Sequence, residues 1–184
     1  MDQSRWDSLF DDLEAQLAAE AQRELEGEVA DRTRRERALV SWQDRLAGQG
    51  DEPIGLVLDG GVRLTGRVIS QGGDWLLVDE GPEAREVLMR LDAVLSVTGL
   101  RTRASGAVTA RRFGLGSALR VLARDRAHVE VIDRSGGTRT GTLDVVHADA
   151  VEMGQHDLAD AGRPRDVVAR VVVPFAAISA VRRR

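Results

Sequence analysis

The chain contains no cysteine, no lysine and no tyrosine among its 184 residues. The absence of cysteine excludes disulfides, thiol nucleophiles and cysteine-held metals. Without lysine no Gly-x-x-x-x-Gly-Lys phosphate loop can be written. Aromatic residues are 3% of the chain, so a core must come from Val, Leu, Ile and Ala, and platforms for base stacking are scarce. No long hydrophobic run occurs either. The longest, Val171 to Val181, is broken by Pro174 and Ser179 and falls short of the ~20 residues that span a bilayer. The start, Met1 to Asp12, is acidic and lacks the basic and apolar regions of a secretory signal. The expectation is a soluble, cytoplasmic protein.

What is present is ordinary globular material, 42% hydrophobic and 30% charged. The net charge of -4 is unevenly spread. Residues 1–49 hold 12 acidic and 7 basic side chains, and the rest is nearly balanced with 18 and 19. Neither part has the basic surplus usual in a dedicated nucleic-acid binder. All 26 basic residues are arginine, the cation best suited to planar anion contacts.

The first proline is Pro53, and the segment before it is patterned as a helix. Trp6, Leu9, Phe10, Leu13, Leu17, Ala21 and Leu25 recur at spacings of three and four, which places them along one side. Acids crowd the first half, and Arg32, Arg34, Arg35 and Arg37 follow, the order a helix macrodipole favours. Gly27 is the weak point, where the helix is expected to kink or end before resuming through Leu39 and Trp42. An apolar stripe must be buried somewhere. Trp6, Leu9, Phe10, Leu13 and Leu17 are therefore candidates for docking on a protein partner or a second copy, the alternative being that they fold back onto the rest of the chain.

Residues after about 48 repeat. Thr65-Gly66 matches Thr140-Gly141, and Asp74 matches Asp149 at equal spacing. Trp75 to Val78 then faces Ala150 to Met153, and Val87 to Val97 lies on Val171 to Val181 without a gap. Upstream, Ile54 to Asp59 is placed on His128 to Asp133, and Leu46-Ala47 on Leu122-Ala123. Each copy reads as a short helix followed by about five strands, with turns at Gly60-Gly61, Gly72-Gly73 and Gly136-Gly137. Alternation in Val62, Leu64, Gly66 and Val68 implies one buried face. Strongly bent five-stranded units of this size close into small barrels. The expected fold is mainly β with a long N-terminal α-helix and two tandem five-stranded barrels, each preceded by a short helix. The division expected is an acidic helix over 1–47, a first repeat over 48–100, an Arg-rich linker over 101–113 and a second repeat over 114–184. The copies differ in one loop, short from Gly81 to Glu86 and long and polar from Gly154 to Asp166.

These units resemble Sm-like barrels within the SH3-like class. Met89 to Val97 is similar to the second Sm motif, in which an Ile-Arg-Gly corner precedes the final strand, and Gly66 followed by Trp75-Leu76-Leu77-Val78 is similar to the first. The resemblance implies a helix, five strands and a short corner. It departs where function would be carried: Leu76 and Glu152 occupy the region of the base-holding Asn, only Arg90 keeps the corner Arg, and Pro174 replaces it in the second copy. The start around Trp6 to Glu14, and Leu115 to Arg126, also resemble an uncharacterised family of actinobacterial proteins, which brings no activity with it.

Catalytic patterns are weak. His147, Asp149, Glu152, His156 and Asp157 cluster, but straddle a strand and a loop without a helical metal-binding spacing. No Gly-x-Ser-x-Gly elbow occurs, and Gly114-Leu-Gly116 is only a fragment of a dinucleotide fingerprint. No cofactor, metal or small-molecule substrate is expected, and the chain is not read as an enzyme. Arg101, Arg103, Arg111 and Arg112 lie in an acid-free stretch and Arg182, Arg183 and Arg184 end the chain. With Arg90 they would form a phosphate-binding patch if folding gathered them. Two readings follow: a non-catalytic adaptor or assembly protein working through the N-terminal helix, and an RNA- or DNA-associated regulator working through these arginines.

Overall fold

In a computed structural model the described residues are 3–81, 86–101, 113–155 and 169–184; within 3–21 the described side chains are Gln16, Leu17 and Glu20. The chain forms two compact units, Met1–Trp42 and Gln43–Arg184. The first is one helix, α1 (Gln3–Leu39), which runs through Gly27 without the expected interruption. A single glycine costs about 1 kcal/mol in a helix interior, and good helix formers on either side outweigh it. At 1.5 Å per residue α1 is about 55 Å long.

The second unit is built from α2 (Trp42–Ala47), α3 (Leu115–Arg124) and ten strands. Strands β1 (Ile54–Leu58), β2 (Arg63–Gln71), β3 (Trp75–Asp79), β4 (Glu86–Arg90) and β5 (Val94–Thr98) follow α2. After α3 come β6 (His128–Asp133), β7 (Thr138–Val146), β8 (Ala150–Gln155), β9 (Ala169–Pro174) and β10 (Ile178–Arg183). Where two separate barrels were expected, the ladders join all ten into one open antiparallel sheet, ordered β5-β1-β2-β3-β4-β10-β6-β7-β8-β9. The last strand of each set folds back beside the first, and β4 of the first set pairs with β10 of the second.

The pairings repeat residue for residue. In β2·β3 the ladder skips Ile69, and in β7·β8 it skips the equivalent Asp144. In β1·β5 it skips Leu95, and in β6·β10 the equivalent Ser179. Such one-residue bulges bend a strand and sharpen its twist. Short corners, Leu91–Ala93 and Phe175–Ala177, precede the last strand of each set. Each corner is tied back in the same way: Leu91 N–H donates to Asp74 O at 3.0 Å and Phe175 N–H to Asp149 O at 2.7 Å. Gly66 and Gly141 serve one purpose, since a Cβ there would collide with the backbone oxygens of Asp79 and Gly154 respectively. One sequence match is corrected. Ile54 pairs with Gly66 and Val129 with Gly141, so Ile54 corresponds to Val129, not to His128. A slip of one residue would have turned the buried Ile54, Leu56 set to the opposite face.

The core is continuous across the two sets. Trp75 and Leu88 of the first pack in one cluster with Leu115, Leu119, Val129, Met153 and Val181. Asp74 accepts the Leu115 N–H at 2.7 Å, so a turn of the first set caps the first turn of α3. Trp75 Nε1–H donates to Phe113 O at 2.9 Å. A second seam joins the turns. Arg134 reaches Asp59 at 2.7 Å and Asp92 at 2.9 Å, while Asp92 also receives Arg90. Gly60 and Gly136, both at positive φ, lie so close that a Cβ on Gly60 would collide with the Gly136 nitrogen.

Candidate assembly surfaces

Four places could carry function: helix α1, the arginines, a cavity beside α3, and the two ends of the sheet. On α1, Trp6, Leu9, Phe10 and Leu13 stand within the helix and their side chains lie outside the described residues. Leu17 is described and is 65% exposed. Leu25, Val29 and Leu39 are exposed as well. Residues four apart fall about 40° apart around a helix, so the apolar positions 17, 25 and 29 wind round α1. Arg32–Glu36 and Arg34–Asp31 ion pairs occupy its charged surface.

The arginines proposed for nucleic acid do not gather into a free patch among the described residues. Arg90 is held by Asp92 at 2.7 and 2.6 Å. Arg101 makes a two-pronged contact with Glu52, a bond that lowers the Glu52 pKa. Arg182 lies 3.3 Å from Glu80 and 3.4 Å from Glu130, Arg184 lies 2.6 Å from Glu130, and Arg183 lies 3.8 Å from Asp125. Each is thus partnered by a carboxylate. Arg103, Arg111 and Arg112 lie outside the described residues.

A cavity of about 500 Å³ opens between α3 and strands β3, β4 and β10, lined mainly by Trp75, Leu77, Leu88, Phe113, Leu122 and Val181. Its lining is mostly apolar, with Ser70, Glu86, Ser117, Asp125 and Arg183 as its polar members. His147 Nε2 lies 3.0 Å from Glu152 on an exposed surface, and Glu152 sits on β8 with Asp149 just before it. His156 and Asp157, expected beside them, lie outside the described residues, as does most of the long 154–166 segment, whose first two residues belong to β8. No group of three or more potential metal ligands occurs among the described residues. No helix among them is long and apolar enough to cross a membrane.

The ends of the sheet were missed by the sequence reading. The equivalents of the β4–β10 junction strands are β9 and β5, and these are the strands at which the sheet stops. Burial shows the difference. Leu88 in β4 is 4% exposed, whereas the equivalent Val172 in β9 is 60% exposed. Ser179, the bulge residue of β10, is fully buried, whereas the equivalent Leu95 in β5 is 64% exposed. One signal was available in the sequence: Val87-Leu88-Met89 and Val171-Val172-Val173 do not alternate, the pattern of strands covered on both faces.

Compared with known protein families, curated proteins and solved structures, the chain matches none.

Proposed function

We propose that this chain is a cytoplasmic, non-catalytic assembly protein, in which α1 captures a protein partner or a second copy and the β unit is the body that α1 carries. We read each five-strand set as a bent unit similar to an Sm-like or SH3-like barrel, present twice in tandem. The observation that carries the reading is α1 itself: a 37-residue helix with Leu17, Leu25, Val29 and Leu39 exposed among charged neighbours. An isolated helix of this kind gains most of its stability from packing an apolar stripe against something. The carboxylate partners of Arg90, Arg101, Arg182, Arg183 and Arg184 favour this reading over the nucleic-acid one, since a phosphate would have to displace them.

The test replaces Trp6, Leu9 and Phe10 together by Ala in the full chain. The expected result is loss of the captured partner, or of the dimer by mass in solution, with β circular dichroism and thermal unfolding unchanged. Capture by the unaltered protein should survive nuclease treatment. Unchanged capture and unchanged mass in the triple variant would overturn the reading, as would capture that disappears with nuclease.

A further inference from the structure

The junction inside this molecule is a template for a junction between molecules. Within the chain, β4 pairs with β10 in a short antiparallel register: Val87 opposite Arg182, Leu88 opposite Val181, Met89 opposite Ala180. The strand equivalent to β4 is β9, and the strand equivalent to β10 is β5; among the described residues these two strands end the sheet. We propose that β9 of one copy pairs with β5 of a second copy in the same register, placing Val171 opposite Thr98, Val172 opposite Val97 and Val173 opposite Ser96. This inference concerns the sheet alone and stands or falls separately from the role proposed for α1.

Three observations support it. First, the two surfaces keep the shape of the inner junction: the bulge at Leu95 repeats the one at Ser179, and the corner before β5 repeats the one before β10. Second, the inner junction buries Leu88 and Ser179 while Val172 and Leu95 are left in solvent at the matching positions. Third, β5 lacks the charge and the proline that guard many natural edges. Val94 to Thr98 contains no charge and no proline. On β9 the charge and the proline, Arg170 and Pro174, fall just outside the three residues of the template register.

The occupant is a second copy because complementarity is built into the repeat. A β9 edge finds on β5 the surface that its own equivalent, β4, already uses. The contact is heterologous, so every copy added presents both edges again and the pairing propagates until a ring closes. The inner and outer junctions differ in charge. Arg182 of β10 reaches Glu80 at 3.3 Å across the inner one. The equivalents are Thr98 and Gln155, both neutral. The residues paired across the outer contact therefore carry no charge, and salt should not dissolve the pairing.

The experiment measures the mass of the full chain in solution across a concentration series, at low salt and at 1 M salt. The expected result is a concentration-dependent rise to multiples of the chain mass in both buffers. Val97→Arg alone and Val172→Glu alone should each remain monomeric with unaltered circular dichroism. An equimolar mixture of the two should assemble again. The introduced guanidinium of one variant then meets the introduced carboxylate of the other at one junction, and Val97 meets Val172 at the next. The chain has no native cysteine, so a Val97→Cys, Val172→Cys double variant should give a ladder of covalent multimers on oxidation. Directly opposed antiparallel residues have the Cα separation a disulfide needs. A wild type that stays monomeric at every concentration, together with a double-cysteine variant that yields no ladder, would overturn the inference, as would single variants that assemble like the wild type. Assembly lost only in the Trp6, Leu9, Phe10 variant would assign self-association to α1 and overturn the edge pairing alone.

Discussion

Strands β4 and β9 hold the same place in the two repeats, carry similar residues and live in different surroundings. Val87-Leu88-Met89 sits between β3 and β10, and Val171-Val172-Val173 pairs with β8 on one side and, among the described residues, with no strand on the other. The middle residue of a similar apolar triplet is therefore buried in one copy and exposed in the other, while Met89 and Val173 are buried alike. The difference teaches that a repeat's stability here is set by its neighbour more than by its own composition. Small β units of 50–70 residues are marginal alone, and here the first repeat gains cover for β4 from the second.

The comparison breaks most visibly by truncating one residue in each place. Leu88→Ala should cost about 2–5 kcal/mol, the range for emptying a packed leucine site. Val172→Ala, measured in dilute protein, should change stability by about 0.5 kcal/mol or less, as surface substitutions do. Urea unfolding of both variants checks the contrast. Equal costs would mean that β9 is already covered in the single chain.

A smaller effect of opposite sign comes from borrowing polarity between the copies. Gln71 ends β2 and is 3% exposed, and neither its Nε2 nor its Oε1 has a hydrogen-bond partner among the described residues. Its equivalent in the second repeat is Val146, which the same ladder pairs with Val151. An unsatisfied buried amide costs about 1–3 kcal/mol. Gln71→Leu keeps most of the volume and removes the polar atoms, so the midpoint of thermal unfolding should rise by an amount matching about 1 kcal/mol. A fall would show that the amide contributes a hydrogen bond to the folded state.

Much of this was legible in the residues, and the reasons for the rest are physical. The repeat, the corners and the strand runs announce themselves because turns need particular residues and buried strands need apolar ones. The offset at β1 did not, because Ile54 to Leu58 and His128 to Asp133 alternate so little in common that only the ladder to Gly66 and Gly141 fixes the register. The open sheet was not legible for a related cause: whether β4 is covered by its own repeat or by the next is not written in Val87-Leu88-Met89. The ion pairs that hold Arg182 and Arg184 depend on Glu130 lying 3.4 and 2.6 Å away, and Glu130 is more than 50 residues distant in sequence. Helix α1 ran through Gly27 because a glycine weakens a long helix without ending it.

The last contrast lies at the first turn of each copy. Leu58 N–H donates to Val62 O at 2.8 Å, and its equivalent Asp133 N–H donates to Gly137 O at 2.8 Å. The two turns share this bond and are held by opposite means. Leu58 is fully buried. Asp133 instead accepts the Ser135 hydroxyl at 2.6 Å, Arg139 at 2.9 Å, and the Gly137 and Ser135 N–H groups at 2.9 Å. The Ser135 hydroxyl, then Arg139, hold the Asp133 carboxyl well below the ordinary carboxylate range, against a contribution from burial that would raise it. Because the folded value is depressed, the carboxylate stabilises the turn fully above the unfolded pKa of about 3.9, and that support is lost as pH falls through the folded value. Burial of Leu58 has no such dependence. On acidification, amide protection at 133–139 should therefore decline before that at 58–64, and Asp133→Asn should flatten the acid limb of the stability curve while leaving the first turn's protection unchanged. Hydrogen exchange read residue by residue, corrected for the intrinsic rate at each pH, decides it. Simultaneous loss at both turns would mean that the seam through Arg134, Asp59 and Asp92, not the Asp133 turn, governs acid unfolding; the Asp92 carboxyl, lowered chiefly by its bond from Arg90, bridges both copies and would take them apart together.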